Sequence, residues 1–307
     1  MNASYHKLDI ETIKLSIGPY EVKSLSTAAF GLDGGAMFGT VPKVLWSKTN
    51  PSDEENKILM DCRCLLLISE DKKILIDTGL GGDFVEKYGP KLGPNFHTHY
   101  NIKEGERSGV IKALEKHGIE TSEITDVILT HLHFDHAGGA TKSVDGKIVP
   151  TFENATYYIQ KENLEVARKP NLREKASYYA CNFEPLEKYN CLKVLDGPGE
   201  LFTNIRLSLT DGHTQGQQTV WVDDGNTSLL YCADLIPTAT HVRLPWVMGY
   251  DLEPLKLIKE KKIELQEAIN KDSYLFFEHD PYCSLALVKE SENRKDYRLK
   301  SLFNLSD

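Results

Sequence analysis

Residues 130–139 read THLHFDHAGG, placing three histidines and an aspartate within six positions of a 307-residue chain that holds ten histidines. The run follows directly on DVILT (126–130), a short apolar segment of the kind that forms a buried strand. Where such a strand ends the chain is free to turn, and His131, His133, Asp135 and His136 converge on one point. Inside a regular strand they could not, because residues 135 and 136 would face opposite sides. Ala137-Gly138-Gly139 then lets the backbone bend tightly and pass close to whatever the side chains hold. Imidazole and carboxylate without thiolate suit zinc, or manganese, iron or cobalt, over soft copper(I).

The same placement recurs. IRLSLT (205–210) runs into Asp211-Gly212-His213, SLLYC (228–232) into Ala233-Asp234, and YLFF (274–277) into Glu278-His279-Asp280. Four apolar strands that each end on His or Asp are what a site at one rim of a buried sheet requires. His131, His133, Asp135, His136, His213, Asp234 and His279 make seven candidate ligands. One tetrahedral zinc takes four. Two divalent ions sharing a carboxylate and a bridging hydroxide use all seven.

Further strands are read at CLLLIS (64–69), KILID (73–77) and QTVWV (218–222), with a hairpin turn at Asp223-Asp224-Gly225-Asn226. Val110, Ile111 and Leu114 ahead of Gly118 predict one helix; Leu255, Ile258, Leu265 and Ile269 predict the buried face of another, with KEKK (259–262) as its wet side. No Ser/Gly linker or composition break divides the chain, so residues 1–307 are read as a single domain with insertions near 34–57 and 160–200. Insertions of this kind serve as lids and pocket walls, or as surface and dimer-forming decoration.

An apolar fraction of 40% and a charged fraction of 26% suit a soluble globular protein, and the net charge of −9 argues against nucleic acid or an anionic membrane as partner. The N-terminus carries no secretory pattern, and no run of about 18 apolar residues exists to span a membrane, so a cytoplasmic protein is expected. Six sparse cysteines are expected to be reduced; Cys62 and Cys64 share a strand face, and Cys232 reads as core packing.

THLHFDH, DGHTQG (211–216), CADL (232–235) and FEHD (277–280), in that order and preceded by ILIDTGL (74–80), resemble the HxHxDH signature and distant His, Asp and His of the metallo-β-lactamase superfamily, over about residues 60–285. The resemblance implies an α/β fold, an αββα four-layer sandwich of two similar halves with a dinuclear zinc site at one edge. Carried over by position, it implies that His131, His133 and His213 bind one metal, that Asp135, His136 and His279 bind the other, and that Asp234 bridges. Asp77 would orient a ligand, or be a plain strand-end turn residue. DGGAMFGTVPKVLW (33–46), THLHFDHAGGAT and ADLIPTATHVRLPWVMGYD (233–251) look most like the N-acyl-homoserine lactonase and related lactonase/phosphotriesterase-like branch. The zinc β-lactamases usually carry cysteine at the bridging position and lack the second histidine of DH; this chain has Asp234 and His136. It departs from the homoserine lactonases at Pro237, where they place a tyrosine against the lactone carbonyl; His241 stands in for that tyrosine or is structural.

The expected activity is opening of a lactone or related ester by a metal-bridging hydroxide, with Asp135 passing a proton to the leaving alkoxide. Phosphotriester or aryl ester hydrolysis on the same centre is the alternative, and a non-hydrolytic metal-binding or redox role a third. Met37, Phe38 and Trp46 of the first insertion, with His241 and Trp246, are read as a pocket for an acyl chain, against ordinary core or dimer packing. The partner is then a small ester or lactone, with a homodimer left open.

Overall fold

A computed structural model describes residues 8–100, 102, 109–292 and 295–306. Two large sheets carry the fold. One has eight strands, ordered Ile10–Ile13, Tyr297–Leu305, Leu285–Glu290, Tyr274–Phe276, Ser228–Tyr231, Gln218–Asp223, Ile205–Leu209 and Gly199–Phe202. The other has seven, ordered Leu192–Leu195, Thr156–Gln160, Asp126–Ile128, Lys73–Ile76, Lys57–Ile68, Tyr20–Asp33 and Leu15–Ile17. All seven apolar runs form strands. The hairpin turn is present too, closing the antiparallel pair in which Asp223 faces Ser228.

Lys73–Ile76, Asp126–Ile128 and Thr156–Gln160 run parallel and are largely buried, as expected for short strands with apolar residues on both faces. Helices Gly109–Lys116 and Lys161–Arg168 cover this sheet, placing Val110, Leu114, Leu164 and Ala167 against Leu66, Leu75, Val127 and Tyr157. On the eight-stranded sheet, Leu257, Leu265 and Ala268 of helix Pro254–Asn270 pack on Trp221, Leu230 and Leu275.

That helix corrects the sequence reading. Leu255 is 76% exposed, and the buried stripe is Leu257, Lys261, Glu264, Leu265 and Ala268. Lys261, placed by its charge in the wet run KEKK, is fully buried. Helical phase decides this: residues 257, 261, 265 and 268 lie on one face, and Leu255 sits half a turn away from it. The glycines after His136 also act differently from expectation. A Cβ on Gly138 would lie 2.2 Å from the Leu80 carbonyl oxygen, and one on Gly139 2.2 Å from that of Thr78. The close approach they permit is thus to a neighbouring stretch of backbone.

The chain divides into two compact units, each built from separate stretches of sequence. Of the described residues, those of 8–18, 31–60 and 198–306 form one unit, which carries the eight-stranded sheet; those of 19–30 and 61–197 form the other, which carries most of the seven-stranded one. The first insertion forms helices Gly34–Phe38 and Lys43–Trp46. The second holds helices Lys161–Arg168 and Glu184–Lys188, but its strand Leu192–Leu195 pairs with Thr156–Gln160, so that part belongs to the sheet. Among the described residues no helix is long and apolar enough to cross a membrane, and all six cysteines are free thiols.

Candidate metal centre

In the Asp61–Gly197 unit, the strand Asp126–Ile128 delivers the chain to Thr130 and His131. His133 then caps the short helix Phe134–Ala137, so that strand, turn and helix present the histidines in succession. Asp77 anchors the turn from the end of the neighbouring strand, in the left-handed region (φ 57°) that aspartate tolerates better than most residues. Its Oδ1 accepts the Thr130 backbone N–H at 2.7 Å, and its Oδ2 accepts the Thr130 hydroxyl at 2.7 Å. The same Oδ2 lies 3.1 Å from His136 Nδ1, and Thr130 Oγ1 lies 3.1 Å from His131 Nδ1. With both Nδ1 atoms held by oxygen, it is the Nε2 atoms of His131 and His136 that point away from Thr130 and Asp77. Asp77 therefore orients histidine, and the alternative of a plain turn residue falls away.

Two nitrogens then face each other: His131 Nε2 and His133 Nδ1 are 3.0 Å apart. Two imidazole lone pairs at that distance need a proton or a cation between them. His136 Nε2 lies 4.0 Å from the Asp135 carboxylate, the more exposed partner of the pair. Two further groups fix the loop. Buried Asn163 accepts the Leu132 backbone N–H at 2.9 Å, and buried Lys87 donates to the carbonyls of Gly138 and Thr141. Burial lowers the Lys87 pKa to about 8.

In the Pro198–Ser306 unit the other three candidates meet on Asp234. His213 Nε2 lies 3.1 Å from Asp234 Oδ2 and His279 Nε2 lies 3.2 Å from Asp234 Oδ1, giving each carboxylate oxygen its own histidine. All three side chains are buried. The His213 loop rests on helix Pro254–Asn270: Glu260 accepts the N–H groups of Asp211 and Gly212, and a Cβ on Gly212 would meet the Leu257 backbone at 2.4 Å. Ala233, just before Asp234, is held in the left-handed region (φ 47°), a conformation that costs a residue with a Cβ about 1–2 kcal/mol. Asp251 accepts from His213 Nδ1 at 2.9 Å and from the Met248 backbone N–H at 2.7 Å. Burial works against protonation of His213, but the carboxylates of Asp234 and Asp251 outweigh it and raise the pKa to about 10. Asp280 serves the loops, accepting backbone N–H groups of Ala239, Tyr282 and Cys283.

The residues expected to line a substrate pocket are packed instead. Met37, Phe38, Trp46 and His241 are each at most 1% exposed. Phe38 stacks on His241 at 4.6 Å and on Trp46 at 5.3 Å, with Trp246 edge-on at 5.7 Å. Both His241 nitrogens are engaged, Nδ1 with Thr238 Oγ1 at 2.7 Å and Nε2 with the Met37 carbonyl at 2.8 Å. Burial, and then the Lys261 ammonium, depress its pKa to about 3, so it is a neutral structural histidine. This corrects the pocket reading for all four residues: shape and charge in the sequence look alike for a pocket wall and for a core.

Sequence reasoning missed Thr130, Asn163, Asp251, Lys87 and Lys261. Only Thr130, adjacent to His131, carried a positional signal. Asp251 lies 38 residues beyond His213 without a motif, and the two lysines look like solvated charge. Also unread was an aromatic group beside the histidine turn, where Phe134 meets Phe96 edge-on at 5.5 Å and Tyr100 at 5.2 Å.

Clustered imidazoles and carboxylates at strand ends, with partners orienting the nitrogens, define a metal-binding α/β protein of hydrolase type. Comparison with known families is specific on this point: the family model described as the metallo-beta-lactamase superfamily matches residues 59–277. The chain belongs to this superfamily, shares its fold of sheets flanked by helices, and is a metallo-hydrolase of that group. It is 28% identical over 221 residues to an N-acyl homoserine lactonase of Bacillus thuringiensis, covering 71% of this chain and 80% of the relative. A probable metal-dependent hydrolase from Staphylococcus aureus superposes with a TM-score of 0.82 at 26% identity, covering 95% of this chain and 99% of that one. AidC, described as a dizinc quorum-quenching lactonase in complex with a product, has the same fold (TM-score 0.75, 21% identity, 95% of this chain and 97% of that one).

Proposed function

We propose that the chain is a dinuclear metal hydrolase that opens lactones or related esters, N-acyl-homoserine-lactone-like molecules foremost, with residues 1–307 acting as one domain. His131, His133 and His213 would hold one ion, Asp135, His136 and His279 the other, and Asp234 both. Zinc is the expected metal, with manganese, iron and cobalt as competitors. One observation carries the reading: Asp234 has a histidine Nε2 at each of its two oxygens, at 3.1 and 3.2 Å, the donor arrangement a bridging carboxylate needs. Membership of the superfamily and the relatives named as lactonases support it.

When bound, the two ions supply a water of lowered pKa, from about 15.7 toward 7, and an electrophilic contact for the substrate oxygen. The chain's own contribution is orientation and proton handling. Asp77 and Thr130 hold the Nδ1 sides of His131 and His136, and Asp251 holds that of His213. Asp135, whose side chain is 13% exposed, is the acid placed to reach a leaving group; it would take a proton from the attacking water and return it to the alkoxide released as the ester C–O bond breaks.

The test is a substrate panel on the metal-loaded protein: lactones of several acyl lengths, an aryl ester and a phosphotriester. Lactone opening with the highest kcat/KM supports the reading. Turnover confined to the phosphotriester or the aryl ester assigns the centre to that chemistry, and no turnover of any class contradicts the hydrolytic proposal.

A further inference from the structure

Behind the aromatic group of Phe38, His241 and Trp246, within the same unit, lies an open cavity of about 420 Å³. That volume falls within the range of about 300–1,000 Å³ usual for small-molecule sites. Its wall is apolar at Leu45, Trp246 and Leu299 and cationic at Lys48, Arg243 and Arg298, and no carboxylate belongs to it. In a chain of net charge −9 this is a local reversal of sign. Two acids lie beside this wall: Asp296 accepts from Arg298 Nη1 and sits 3.6 Å from Arg243 Nε, and Glu290 stands opposite Tyr297 on the neighbouring strand. The wall itself carries three cations and no carboxylate, so its inner surface is positively charged. Lys48 has no ionic partner among the described residues, and Arg243 spreads its guanidinium over the Trp246 ring at 4.6 Å while its buried Nε makes no hydrogen bond.

We propose that this cavity binds an anionic amphiphile, its apolar tail on Leu45, Trp246 and Leu299 and its carboxylate or phosphate head on Lys48, Arg243 and Arg298. Apolar surface and unspent positive charge within one concave wall favour a ligand that carries both properties. Trp246 connects the cavity to the turn Ala239–Val242, which supplies further wall on one side and His241 on the other. The site is separate from the proposed metal ligands, and none of its residues is among them.

Calorimetric titration of the metal-loaded protein with decanoate, decyl phosphate and decanol tests this. Saturable binding of decanoate or decyl phosphate is expected, at least tenfold tighter than decanol and weakened by added salt. Whichever anion binds more tightly identifies the head group. Lys48→Glu and Leu299→Glu should each weaken it at least tenfold, with an unchanged Tm showing that the variants fold. No saturable binding overturns the proposal. So does decanol binding as tightly as the anions, or equal binding by wild type and both variants, which would place the ligand elsewhere, the ester-opening site included.

Discussion

Asp251 shows how far a single carboxylate can govern the candidate centre. It accepts a hydrogen bond from His213 Nδ1 and another from the Met248 backbone N–H, and so fixes the orientation of the ring. Carboxylates in this role are worth about 10–100-fold in metal affinity. Asp251→Asn should lower affinity by that factor in a chelator competition while leaving the fold intact, and unchanged affinity would remove Asp251 from the account. Asp135 makes a different demand. If it handles the leaving-group proton, Asp135→Asn should keep its metal yet lose about 10²–10⁴-fold in kcat, the usual worth of a placed acid–base group. Loss of metal and activity in proportion would reduce Asp135 to a ligand. Both residues bear on legibility: Asp135 lies inside the HLHFDH run, whereas Asp251 is brought to His213 only by folding.

At the scale of elements, helix Pro254–Asn270 organises one half of the centre through two contacts that the sequence concealed. The first is steric, since the glycine in Asp211-Gly212-His213 exists to let the loop touch the helix at Leu257. Gly212→Ala forces loop and helix apart and should cost about 1–3 kcal/mol, as overpacking does; urea unfolding measures it, and an unchanged midpoint contradicts the contact. The second is Lys261, which donates to the carbonyls of His241 at 3.0 Å and Trp246 at 2.8 Å and so ties down the turn behind Asp234. Burial lowers its pKa from 10.5 to about 8. The unfolded chain therefore binds the extra proton between these values, and stability rises with pH across the window. Relative to Lys261→Met, the wild type should gain on the order of 3 kcal/mol between pH 8 and pH 10.5. A constant difference between the two proteins would show that the ammonium is not buried. In sequence KEKK reads as a wet face because charge is visible and helical phase is not. The long strand Tyr20–Asp33 is obscure for a related reason: buried and half-buried positions mix along it, and its Ser, Thr and Lys residues dilute the alternation.

For the molecule as a whole, the apolar strands and the placement of His and Asp at their ends were readable because both depend on local pattern: a short buried run, then His or Asp. The division of the chain into two interleaved units was not, since it depends on which distant segments pack together. The pocket was misread because a Met and aromatic cluster has one composition whether it lines a cavity or fills a core. The central claim concerns seven side chains that no single segment supplies. It is tested most directly by measuring metal content and lactone turnover on the same purified protein, before and after chelation. The account predicts about two divalent ions per active chain, loss of turnover as they are removed, and recovery when zinc is returned. Full turnover at one ion per chain or fewer would contradict it.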